Sequence, residues 1–549
     1  MVELMAKGWD QRSGPGRNMK IVSFFLLVGL GSYLVGPARA AVDVSEATPA
    51  GIWGDQGDGT YRNPILPGDF QNTDVLRVGS DYYYISATKE LSPGMLILTS
   101  KDLVNWTYLG HAVPDITQIN PRYNFDKMEG VNRGIWAGSL GYHDKKFLVY
   151  FTDPDFGIYL STAVNPAGPW EPLTQMMAGP GWDDPCPFWD DDGQAYLVAT
   201  NFHDGYKIHL FKMSPDGKTL QLDSDQVIHQ SKESEANKIY KIKDYYYHFY
   251  SEVTSEGRVP FMERAKNIAG PYEERRQLIH KADGYPNQGG LLQTEAGDWY
   301  FVTHHGAAKW DGREASLLPV TWVDGWPVWG TPGPDGIGNM VWSGNKPIAG
   351  FPVKPLQTSD EFDSATLSPQ WEWYFQPRAD KWSLQERPGF LRLYACRPLQ
   401  PGVLTKTANI LTQRPLRVAQ SEVTVKMDLS HMADGQVAGL SLFGKTYGAV
   451  GIEQTGNARS FYFDETKKVT PGAAIPESTT EVWLRASWDA SGLAQFSTST
   501  DGTSFNPVET PYQIANSGNY LGAKIGLYTA NDKQESGYID IDWFHYDVK

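Results

Sequence analysis

A short strand, a tight polar turn and an aromatic-rich strand recur five times in this chain. The copies are 75–79 before 81–85, 140–142 before 147–151, 187–189 before 195–198, 239–242 before 245–249, and 291–293 before 298–302. The turns at 79–81, 191–193 and 296–298 carry the Gly and Asp that tight hairpins need. Copies begin roughly fifty residues apart, a period that fits propeller blades and not a solenoid. Further turn signals at 100–106, 165–170 and 267–272 fit the last hairpin of a four-stranded blade. Short strands alone would also suit a long meandering sandwich. Five copies favour five blades.

The repeat stops at the Gly/Pro-rich stretch 331–336, and the strands beyond it, such as 422–427 and 538–544, alternate differently. The expected fold class is all-β: a five-bladed β-propeller followed by a β-sandwich of jelly-roll, concanavalin-like form. The expected division is a secretory signal over 1–40, a lead-in over 41–60, the propeller over 61–345, a linker over 346–357 and the sandwich over 358–549. The signal reading rests on Lys20, the apolar run 21–30 and the Ala38-Arg39-Ala40 site. Residues 1–18 then look like an extension upstream of a start at Met19. An uncleaved anchor is the competing reading, but the apolar run is short for a membrane span. The chain is expected to be exported, to the periplasm or beyond, and to touch no membrane once the signal is removed.

Composition narrows the partners. The formal charge is −16, and without residues 1–40 it is −19. Such a balance argues against nucleic acid and suits neutral glycans. Cys186 and Cys396 are too few for a disulfide scaffold or a four-thiolate metal site.

A propeller gathers the innermost strand of each blade around one axis, so residues distant in sequence can share a site. Three acidic stretches hold the same phase, a few residues ahead of an apolar strand: 69–74, 182–188 and 234–240. Carboxylates brought together raise one another's pKa, as a general acid working near neutrality requires. There is no HExxH helix, no GxxxxGK[ST] loop and no Gly-x-Ser-x-Gly elbow. His304 and His305 are neighbours on a strand, so at most one faces inward.

The stretches 63–68, 74–83, 92–95 and 100–106 closely resemble glycoside hydrolase family 43. The likeness continues through Trp136-Ala137-Gly138-Ser139, Asp184-Pro185, Glu235 and 270–273. Trp371-Glu372-Trp373 and 382–389 resemble the β-sandwich that trails xylosidase-type members. The resemblance implies an inverting exo-glycosidase that removes terminal α-L-arabinofuranose or β-D-xylose from hemicellulose or pectin oligosaccharides, and needs no cofactor.

Carried over residue by residue, Glu235 falls on the general acid and Asp184 on the carboxylate that tunes and orients it. The family's basic Asp falls on Asn72, whose amide is essentially non-basic. Asp74, two residues on and on the same face of an extended strand, is the expected general base. Asp69 or Glu90 as base, an amide-assisted mechanism, a sugar-binding protein with weak or lost hydrolysis, or an exo-galactosidase-type variant are the alternatives. The resemblance also places Asn72, Trp136, Arg264 and Gln288 around the substrate, Trp136 as a sugar-stacking wall. Gln288 stands where relatives carry a central His that helps hold an ion, so no metal ligand is assigned, although a structural calcium is admitted.

Overall fold

The computed structural model describes residues 51, 53–282, 286–518 and 521–549. The signal expected over 1–40 lies outside them. Among the described residues, helices are limited to short 3-10 turns such as Ile116–Gln118, and no helix is long and apolar enough to cross a membrane.

Five antiparallel sheets of four strands form the propeller. Blade 1 runs Asp74–Val78, Asp81–Ser86, Gly94–Ser100 and Trp106–Val113. Blade 2 runs Gly138–His143, Lys146–Asp153, Gly157–Ala163 and Thr174–Ala178. Blade 3 comprises Trp182–Trp189, Ala195–Asn201, Lys207–Met213 and Leu220–Gln230. Blade 4 comprises Glu235–Ile242, Tyr245–Thr254, Gly257–Ala265 and Arg276–Gln277. Blade 5 comprises Gly289–Gln293, Trp299–Lys309, Gly312–Val323 and Trp326–Trp329. The repeated sequence unit is thus the first hairpin of each blade, and the turns at 100–106, 165–170 and 267–272 precede the fourth strands of blades 1, 2 and 4. The aromatics fill the spaces between blades. Phe301 stacks on Trp329 at 3.7 Å between ring centres, and Phe249 of blade 4 packs on the same ring at 5.3 Å.

Beyond the propeller, two eight-stranded sheets form the sandwich. Its edge does not end within its own sequence. Leu91–Ser92, from a loop of blade 1, pairs with Glu372–Tyr374 and becomes the last strand of one sandwich sheet. A continuous apolar core joins the two parts: Leu66, Phe70 and Trp106 of the propeller belong with Leu416, Val418 and Trp488 of the sandwich. Burial on this scale holds the sandwich as a fixed buttress.

Candidate active site

Inner strands of blades 3 and 4 open in the same unusual way. In each the register slips near the start, between Asp183 and Cys186 and between Glu235 and Lys238. Each slip carries a non-glycine residue in the left-handed region, Asp184 at φ 50° and Ala236 at φ 69°. Such bulges re-aim side chains, and the conformation costs about 1–3 kcal/mol unless its surroundings impose it. Here the two bulges interlock, because the Ala236 N–H donates to Asp184 Oδ2 at 2.6 Å.

That bond brings Asp184 and Glu235 to one place. Asp184 Oδ1 accepts from Gln288 Nε2, so both of its oxygens are occupied. Glu235 Oε1 lies 3.2 Å from Arg258 Nε, and its side chain is 26% exposed. Burial raises the Glu235 carboxyl; the Arg258 guanidinium opposes this and the Asp184 charge adds to it. Burial also raises Asp184, against the Ala236 N–H and the Lys238 and Arg258 charges. A third carboxylate, Asp183, is pushed well above its usual range by burial and by Asp184 and Glu235.

Asn72 is buried beside the axis, but not in an extended strand. Its φ is 51°, its N–H donates to His304 Nδ1 at 2.9 Å, and its side-chain oxygen accepts from Arg313 at 2.9 Å. Burial keeps His304 neutral by lowering its pKa well below the usual value. With Nδ1 accepting, its proton is on Nε2, which has no partner among the described residues. His305 lies edge-on to Trp342 at 5.6 Å. Arg258, Asn287, His304 and Arg313 line a cavity of about 240 Å³.

Asp74, expected as the base, has a different task. Its Oδ2 accepts from the Leu140 N–H at 2.9 Å and lies 3.2 Å from Lys238 Nζ. Lys238 also bonds Ser139 Oγ and the Gly138 carbonyl, so the carboxylate staples the inner strands of blades 1, 2 and 4. A Cβ on Gly290 of blade 5 would stand 2.7 Å from Asp74 Oδ1. The extended-strand phase that put Asp74 beside Asn72 fails because Asn72 is left-handed.

Arg264 is a second correction. It pairs with Glu273 at 2.9 Å, donates to the Gly325 carbonyl, and packs on Tyr245 and Trp326, away from the axis carboxylates. Arg258, six residues earlier on the same strand, is the arginine at the site. Trp136 is half-buried, with its indole N–H on the Asn132 carbonyl and Lys89 Nζ 4.3 Å above its ring. Asp69 and Glu90 both serve contacts elsewhere. Among the described residues no three His, Cys, Asp or Glu side chains gather as a metal site.

Sequence reasoning passed over Asp183, Lys89, Arg258 and Arg313. Only Asp183 gave a signal, as the neighbour of Asp184 in the same acidic stretch.

Comparison with known proteins gives the family and the fold. Residues 61–327 match the model for glycosyl hydrolases family 43, and residues 359–547 match the beta xylosidase C-terminal concanavalin A-like domain. A beta-xylosidase from Formosa agariphila is 35% identical, over 90% of this chain and 92% of that protein. A non-reducing end alpha-L-arabinofuranosidase, BoGH43B, from Bacteroides ovatus is 32% identical, over 61% of this chain and 65% of that protein. Among solved structures, a bifunctional GH43-CE protein of Bacteroides eggerthii superposes with a TM-score of 0.79 at 29% identity, covering 89% of this chain and 64% of that one.

Proposed function

The chain belongs to glycoside hydrolase family 43, and from that premise we propose that it is an inverting exo-glycosidase releasing terminal α-L-arabinofuranose or β-D-xylose from hemicellulose- or pectin-derived oligosaccharides. One observation carries the reading: interlocked bulges bring two raised carboxyls, Asp184 and Glu235, together at the start of adjacent inner strands. Glu235 is the group free to give a proton, because it has one oxygen on Arg258 and the other without a partner among the described residues. Asp184, with both oxygens filled, cannot reach substrate and acts by charge and by fixing the Glu235 backbone. Inversion requires the leaving oxygen to be protonated from one side while water attacks the anomeric carbon from the other. Trp136 is the aromatic ring that would stack on a sugar, with the Lys89 ammonium already over one of its faces.

Export belongs to the same reading and is supported by the signal-like features of 1–40. The mature chain recovered outside the cytoplasm should begin near Ala41.

Hydrolysis of nitrophenyl arabinofuranoside, xyloside and galactoside tests the assignment. Turnover should be found on a pentoside and should fall roughly 10²–10⁴-fold in Glu235→Ala. Undiminished turnover in that variant would sink the assignment of the acid. Tight oligosaccharide binding without turnover in the unaltered protein would show a sugar-binding protein instead.

A further inference from the structure

We propose that Asp183 is the general base that Asn72 cannot be, and that the Lys89 ammonium supports its charge. The inference rests on the hydrolase reading above.

The other carboxylates near the axis are committed. Asp74 is stapled to Leu140 and Lys238. Asp69 binds Lys524 and the Gly522 N–H of the sandwich, both at 3.1 Å. Glu90 accepts the Asn132 N–H and lines a cavity of about 390 Å³ between propeller and sandwich. Asp184 has both oxygens filled. Asp183 is half committed: its Oδ1 accepts from Thr152 Oγ1 at 3.1 Å and from the Asp184 N–H at 3.0 Å. Its Oδ2 accepts no hydrogen bond among the described residues, and the residue is 8% exposed. One oxygen fixes the aim, and the other is free to take a proton. Glu235 has the same form, so the site holds two carboxyls of this kind, as inversion requires.

Lys89 supplies the second, independent observation. It is 6% exposed, and its Nζ sits over the Trp136 ring with no hydrogen bond or ion pair among the described residues. An ammonium largely withdrawn from water and without an acceptor is costly, so it points to a group that arrives or to a charge it must balance. Asp183 and Lys89 act on each other electrostatically without ion-pair contact. The backbone of Lys89 is pinned by reciprocal hydrogen bonds with Ile135 at 3.0 Å, which hold it at φ 56°.

In the step, Asp183 Oδ2 takes a proton from water as the water oxygen bonds to the anomeric carbon. The glycosidic C–O bond breaks, and its oxygen leaves with the Glu235 proton. Asp183 ends protonated and Glu235 ionised, and solvent returns the proton from one to the other.

The test uses full-length protein and a nitrophenyl pentoside that the unaltered protein turns over. Asp183→Asn keeps the shape and both acceptor bonds of Oδ1, and should lower kcat roughly 10²–10⁴-fold with KM little changed. Asp183→Gly should regain turnover in azide, giving a glycosyl azide of inverted configuration, because the anion attacks without needing a base. Lys89→Met should lower kcat while oligosaccharide binding persists. A kcat within a few-fold of normal in Asp183→Asn, a rise in KM alone, or no azide product would overturn the proposal. Absence of turnover in the unaltered protein would instead overturn the hydrolase reading on which it rests.

Discussion

Where the sandwich docks, Glu372 is gripped by Arg414 at 3.0 Å and His111 at 3.2 Å, and Arg417 reaches Asp311 and Glu314 at 2.6 Å each. At the propeller axis, buried Asp183 and half-buried Glu235 each leave an oxygen open, and Lys89 has no ion-pair partner among the described residues. Burial acts on both places alike, yet its outcome differs. It pushes the Glu372 carboxyl up, but Arg414 and His111 outweigh it and bring the group to about 2. At the axis burial wins, and Asp183, Asp184 and Glu235 all lie above their ordinary values. A saturated buried charge locks two parts of a chain together, whereas an unsaturated one retains the capacity to move a proton.

The largest effect that would break this contrast is at the dock. Arg414→Met leaves Glu372 with His111 alone, and breaking one side of a buried pair costs about 3–5 kcal/mol. The expected result is a clear drop in melting temperature, with kcat of the folded protein unchanged. Loss of kcat at full stability would show that the dock takes part in the chemistry.

Acid should undo the dock next. The Glu372 carboxyl is depressed from 4.5 to about 2 in the folded chain. Its contribution is therefore present above pH 4.5 and is lost as pH falls from there towards 2, amounting to about 3 kcal/mol at most. Melting temperatures taken across that range should fall with pH, and Arg414→Met should flatten the slope. An unchanged slope in the variant would place the acid-labile group elsewhere.

A smaller effect is expected at Asn72. An added carboxylate there would meet Arg313, already 2.9 Å from the amide oxygen, and become another saturated charge. Asn72→Asp should thus alter kcat by less than about tenfold, or 1.4 kcal/mol. A rise of several hundredfold would mark the axis as a site short of a base and set aside the role given to Asp183.

The blades were legible because a propeller repeats its hairpins and places aromatics at a period of two. Asp184 and Glu235 were legible for a related reason, each lying at the start of an inner strand. Phase arguments failed where the backbone leaves the strand. Asn72 at φ 51° turns its neighbours off the expected face, and the bulge at Asp184 gives the adjacent Asp183 a part at the axis. Lys89 reads as an exposed cation in any one-dimensional view; only its bridge to Ile135 and the ring of Trp136 bury it. The dock was out of reach as well, because Arg414 bonds the Asp69 carbonyl across 345 residues.

Two arginines on one strand give the smallest and finest test. Gly257–Ala265 carries Arg258 near its start, beside Glu235, and Arg264 near its end, beside Glu273, and sequence alone cannot tell which end serves the site. Arg264 holds a partly exposed pair with Glu273, of a kind worth about 0–1 kcal/mol. Arg264→Ala should therefore leave kcat/KM and its pH profile as they were, with only a slight loss of stability. Arg258 opposes the effect of burial on Glu235. Removing that cation lets the Glu235 pKa rise, so the acid keeps its proton to higher pH, and the alkaline limb of kcat/KM should move upward in Arg258→Ala. A shifted limb in the Arg264 variant, with none in the Arg258 variant, would reverse the placement of the two residues.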